Sequence, residues 1–232
     1  MAIKNWFGGR GKPGGGRRDA GPPPARQEKS ERMNALFAIG RSIQKWSFRA
    51  AGPYLVARHG YDRHISPRTL YFDADQAFLE AHKLAKEIGD KRKDAEIYYY
   101  WALLQWHPPA KGITFMSGSP VEKLQKVIDF ASSPENLPEG MKASPQETPY
   151  ESVPELALQF FLEALSLSEE TGQDLVAAAS LLYSAQIYRV RGDTARYQDQ
   201  IAKLRRRVVR PAEAKTSLPP WLLDEIKAEA GF

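Results

Sequence analysis

The chain has 232 residues, 42% hydrophobic and 26% charged, so it can build a core and is expected to form one ordered unit with tails. It has no cysteine, which excludes a disulfide framework, thiolate zinc sites, iron–sulfur clusters and a cysteine nucleophile together. The net charge of +5 is concentrated at one end, because residues 1–32 hold eight Lys or Arg against three Asp or Glu and the rest of the chain is formally neutral.

Apolar runs are broken by charge well short of the roughly 20 residues a membrane-spanning helix needs. Met1 to Phe7 lacks the continuous apolar core of a secretory signal, so a cytoplasmic location is expected. From Gly8 to Arg26, eleven of nineteen residues are Gly or Pro and five are Lys or Arg. Such a segment buries too little apolar surface to offset its ordering entropy, and residues 1–26 read as a disordered basic tail.

Helical spacing begins near Gln27, with Leu36, Ile39, Ile43 and Trp46 on one face, and is expected to run until Gly52-Pro53. Ser66-Pro67 reads as an N-cap with proline in the first turn of a helix that reaches about Ile88 and stops at Gly89-Asp90. A second helix follows from about Lys91 to Trp106, ended by Pro108-Pro109. Ser119-Pro120 with Glu122 opens a capped helix to about Ala131. Five prolines between Ser132 and Pro154 make residues 132–153 a long irregular loop. Helices are expected again over about Pro154 to Glu170, Gln173 to Val190 and, after Gly192-Asp193, to about Val209. The helical body thus spans residues 27–210, and 211–232 form a linker and a short helix from Trp221 to Ala230 with Leu222, Leu223 and Ile226 on one side. No alternating strand pattern is evident.

The segment Gln76 to Asp90 matches Gln159 to Gln173, 83 residues later, at eight of fifteen positions. Average composition would give about one. The register continues without a gap through Ala95 and Ala178, Tyr100 and Tyr183, and Ala102 and Ala185. Within each copy a small residue is followed by an aromatic four later and an alanine three beyond: Ala74, Phe78, Ala81, and Ala157, Phe161, Ala164. Small residues let two helix backbones approach while the aromatic fills the space between hairpins. This pattern, with Ala185, Tyr188 and the Gly192-Asp193 turn, resembles tetratricopeptide repeats over about residues 67–107 and 154–204. The resemblance implies an all-α fold, an irregular α-solenoid-like array of antiparallel helical hairpins, interrupted here by the residue 108–153 segment.

It also implies a non-catalytic scaffold or adaptor that binds another protein or peptide; the residues themselves suggest no cofactor and no metal. The concave face in that family comes from the first helix of each repeat, which places Glu96, Tyr99, Leu103 and Trp106 on one such face. Leu182, Gln186 and Arg189, with Ala179, fall on the other. These residues do not supply the Lys and Asn of the family's carboxylate-clamping variant, so an aromatic or apolar groove is expected. In Tyr98-Tyr99-Tyr100-Trp101 the aromatics run right around one helix, so at least two must be core.

The alternative function is tail-driven association with RNA or an anionic membrane. Arg10, Arg17 and Arg18 sit among glycines as in arginine–glycine RNA-binding segments, and Trp6 and Phe7 form an apolar hook. Lys203, Arg205, Arg206, Arg207 and Arg210 form a second basic cluster, which a helix C-terminus is sufficient to explain. His59 and His64 are five residues apart and so on different helical faces, which argues against a metal pair. His82 and His107 read as structural or solvated, and Glu169-Glu170 and Asp224-Glu225 as solvated charge. No nucleophile elbow, phosphate loop or acid–base pair is present, and no enzyme activity is expected.

Overall fold

The computed structural model describes residues 24–60, 63–115, 141–143, 151–208 and 218–231. The fold is mostly helical. Eight helices occur among these residues: α1 (Pro24–Gln44), α2 (Ala51–His59), α3 (Pro67–Ile88), α4 (Lys91–Trp106), α5 (Pro154–Thr171), α6 (Asp174–Val190), α7 (Thr194–Val208) and α8 (Pro220–Ala230). None is long and apolar enough to cross a membrane.

The expected punctuation forms most of these boundaries. Ser66 Oγ accepts from the Thr69 backbone N–H at 3.1 Å, with Pro67 in the first turn of α3. Gly89 then ends α3 at φ 73°, a left-handed conformation that glycine adopts without steric cost, and Gly172 ends α5 at φ 69°. Asp90 Oδ1 caps α4 by accepting from the Lys93 N–H at 2.9 Å, and Asp193 Oδ1 does the same at the start of α7 for Arg196 at 3.1 Å.

Two boundaries differ from the sequence expectation. The first helix ends at Gln44, and the chain turns through Trp46 and Phe48, both at positive φ, before α2 begins at Ala51. Gly52-Pro53 lies in the first turn of α2, where proline costs no hydrogen bond, so it starts a helix where it was expected to stop one. At the other end α1 begins at Pro24, inside the expected tail. There Arg26 donates to the Ile88 carbonyl at 2.9 Å, Lys29 pairs with Glu87 at 2.8 Å and Arg32 with Glu80 at 3.3 Å. Part of the basic charge of the first 32 residues is therefore engaged by α3. The remainder of the tail, and the helix expected after Ser119-Pro120, lie outside the described residues.

Three short strands were also not expected. β1 (His64–Ile65) pairs antiparallel with β2 (Ile113–Phe115), and β2 pairs antiparallel with β3 (Met141–Ala143). Segments of two or three residues are too short to show alternation. Gly112 leads into β2 because a Cβ there would lie 2.6 Å from the Ile65 carbonyl oxygen.

α1 packs on α3, α4 on α5, and α6 on α7, while α3 also packs on α4 and α5 on α6. The interruption of the repeat does not separate α4 from α5, because the chain leaves α4 at Trp106 and returns beside the same place. The Val153 N–H donates to the Gln105 carbonyl at 2.9 Å. Two cores result, one under α1, α2, α3 and α4 and one among α4 to α8. α4 serves both: Ile97, Trp101 and Leu104 enter the first, and Ala95, Tyr99, Ala102 and Leu103 the second. That is why its aromatics run all the way around.

The repeated positions have matching environments. Ala74, Phe78 and Ala81 are all fully buried, as are Ala157, Phe161 and Ala164. Burying each phenylalanine contributes on the order of 1.5–3 kcal/mol. The helices close in around them because the flanking alanines carry only a methyl group and hold the backbones little apart.

Candidate interaction site at the meeting of α1, α4, α6 and α8

A cavity of about 550 Å³ opens where the C-terminal turn of α1, one face of α4 and the start of α6 meet. From the last turn of α1 come Arg41 and Gln44, with Lys45 just beyond its end, and three- and four-residue steps place them on one side. From α4 come Glu96, Tyr99, Tyr100 and Leu103, again at helical spacing, with His107 just beyond its end. α6 supplies Leu175, Val176 and Tyr183, and Trp221 of α8 closes the remaining side.

The floor is aromatic. Tyr99 meets Tyr100 edge to face at 5.0 Å between ring centroids and lies 6.3 Å from Tyr183, which stacks on the buried Phe161 at 5.4 Å. The Arg41 guanidinium sits 4.7 Å above the Tyr100 ring and the Lys45 ammonium 5.3 Å from it. Each is a cation–π contact that holds the cation at the wall. Burial raises the Tyr99 and Tyr183 hydroxyls above the usual phenol range, and the neighbouring phenols and Glu225 add to this. Both therefore stay neutral and remain O–H donors. Glu96 is paired with Lys93 at 2.6 Å. The mouth is apolar: Leu175 is 44% exposed and Trp221 49% exposed.

Of the residues singled out in the sequence, Glu96, Tyr99 and Leu103 line this cavity. Trp106 is half-buried against the second core and is not part of the lining. On α6 the expected face is not free. Leu182 is fully buried and has no surface to offer a partner. Arg189 pairs with Glu229 of α8 at 2.9 Å, and Gln186, half-buried, lies between them in sequence and outside the lining. α8 covers this stripe: it packs on α6 and α7, buries Leu222, Ile226 and Ala230, and is tied at its end by Tyr197 and Arg205, which donate to the Glu229 and Ala230 carbonyls. Trp6, Phe7, Arg10, Arg17 and Arg18 lie outside the described residues.

Arg41, Gln44, Lys45, Tyr100, Leu175, Val176, Tyr183 and Trp221 were not anticipated as site residues. Tyr100 and Tyr183 carried a signal, since they match in the repeat register. The α1 and α8 contributions carried none, because nothing local says which helix packs beside which.

The basic cluster on α7 is largely consumed within the fold. Lys203 pairs with Asp199 at 2.7 Å, Arg207 reaches Glu169 and Asp174, and Arg205 holds the end of α8. Three of the four histidines are similarly engaged. His59 Nε2 lies 2.6 Å from Asp73 Oδ2, His82 Nδ1 lies 2.7 Å from Asp94 Oδ1, and His64 contacts Thr114 Oγ1 at 3.3 Å. No group of three metal-ligating side chains converges among the described residues. Comparison with family models, with curated proteins and with solved structures gives no match to this chain.

Proposed function

We infer that this protein is a non-catalytic interaction adaptor, built as a tetratricopeptide-like array and binding a protein or peptide in the cavity between α1, α4 and α6. In this reading α3 with α4 and α5 with α6 are the repeated hairpins, α1 packs on the first, and α7 and α8 pack on the last. The observation that carries it is the juxtaposition of exposed Leu175 and Trp221 with a preformed aromatic floor. Burying such surface under a partner is favourable by about 25 cal/mol per Å², and aromatic anchors in preformed pockets dominate binding at many interfaces.

The reading is tested with the full-length protein and its Trp221→Ala and Leu175→Ser variants, each immobilised and used to capture partners that are then identified by mass spectrometry. Both substitutions are at exposed positions, so circular dichroism should be unchanged. Loss of the same specific partner from both variants is expected. If instead both retain it and deletion of residues 1–23 removes it, with steep salt dependence, binding belongs to the basic tail and its RNA or anionic-membrane chemistry.

A further inference from the structure

The cavity is not chemically neutral. Arg41 in the last turn of α1 and Lys45 just beyond its end are four residues apart, both exposed, and both contact the Tyr100 ring. Neither forms an ion pair with a carboxylate among the described residues. The acidic residue across the cavity, Glu96, is already compensated by Lys93. The Tyr99, Tyr100 and Tyr183 hydroxyls have no hydrogen-bond acceptor among the described residues, and burial holds Tyr99 and Tyr183 in their donor form. Two cations and three phenolic donors thus surround a space whose mouth is apolar on its other side, at Leu175 and Trp221.

Resting on the adaptor reading above, we propose that the cavity takes a short acidic peptide segment. Its carboxylate meets Arg41 and Lys45 and accepts from the phenols, while an adjacent aliphatic or aromatic side chain seats on Leu175 and Trp221. About 550 Å³ accommodates a few side chains of such a motif and lies in the range of built ligand pockets. The chain's own basic tail is disfavoured as occupant, since it would bring cations to Arg41 and Lys45.

The test is selection of random hexapeptides displayed with free and with blocked C-termini against the full-length protein, followed by fluorescence anisotropy on labelled synthetic copies. Enrichment of Asp or Glu next to Leu, Ile, Phe or Trp is expected, and the two libraries separate a chain-end carboxylate from a side-chain one. Lys45→Glu should weaken those peptides roughly tenfold, the scale of losing an exposed charge pair and gaining like-charge repulsion. Lys83→Glu, at an exposed position of α3 away from the cavity, should leave affinity unchanged. Enrichment of neutral apolar peptides whose binding needs Trp221 but ignores Lys45→Glu would overturn the acidic assignment and leave the adaptor reading standing. Enrichment of nothing in either library would remove both. Oligouridine binding that Lys45→Glu abolishes would replace the peptide by nucleic acid.

Discussion

At positions 83 residues apart, the α3–α4 and α5–α6 hairpins bury the same residue types and hold them together differently. Phe78 and Phe161 are both fully buried, as are Ala95 and Ala178, and Ala102 and Ala185. In the first hairpin His82 pairs with Asp94 at 2.7 Å, and Asp75 accepts from Trp101 Nε1 at 2.7 Å and Gln105 Nε2 at 3.1 Å. At the corresponding positions the second hairpin has Leu165 and Ala177, then Leu158, Ser184 and Tyr188. The polar pairs are absent, yet the matched residues are equally buried. Burial of the shared alanines and phenylalanines thus does not require the polar pairs beside them, whose places apolar residues take in the second hairpin.

The strongest way to break the comparison is at its shared centre. Phe78→Ala and Phe161→Ala should each cost about 3–5 kcal/mol, because both leave a cavity that packed neighbours fill only partly. Urea denaturation followed by circular dichroism measures this. A difference of more than about 2 kcal/mol between the two would show that the copies are not equivalent in their packing.

A smaller effect is expected at the divergent pair. Asp94→Ala should cost about 1.5–3 kcal/mol by leaving His82 without its charged partner. The double substitution His82→Leu with Asp94→Ala installs the residues of the second hairpin and should recover most of that loss. A double variant less stable than the single one would mean that the polar pair is required where it stands.

Gly40→Ala sharpens the comparison from outside, since α1 packs on the first hairpin, mainly on α3. An added Cβ would lie 2.9 Å from Cε1 of the fully buried Phe78. Overpacking of about 1–3 kcal/mol outweighs the roughly 1 kcal/mol that alanine gains in a helix interior, so a net loss near 1 kcal/mol is expected in thermal unfolding. A gain would show that Phe78 has room to shift.

The smallest effect is expected in the second hairpin. Ser184 stands where Trp101 bonds Asp75, but its partner position is Leu158, and its buried hydroxyl has no hydrogen-bond partner. Ser184→Ala should be neutral or stabilising by less than about 1 kcal/mol. Clear destabilisation would reveal a hydrogen bond to that hydroxyl in solution.

These contrasts also separate what could be read along the chain from what could not. Helices α3 to α8 were legible within a residue or two because Ser66-Pro67, Gly89-Asp90 and Gly192-Asp193 act through local backbone geometry. The break after Gln44 was not, since Trp46 and Phe48 adopt positive φ against their intrinsic preference while Phe48 is buried in the first core. In the candidate site Glu96, Tyr99 and Leu103 followed from α4 alone, whereas the corresponding stripe on α6, with Leu182 and Arg189, is taken by α8. A helix pattern identifies which side of a helix is apolar, but not which neighbour covers it.

Composition, periodicity and turn residues by themselves determined the helical class, the duplication and the residues at its centre, because each rests on contacts within one helix or one turn. The closure of the 107–153 excursion between Gln105 and Val153, the sharing of α4 by two cores and the cavity joining Arg41 and Lys45 to Trp221 were decided only in three dimensions. Each depends on residues far apart in the chain, and burial acts on whatever surfaces the packing brings together.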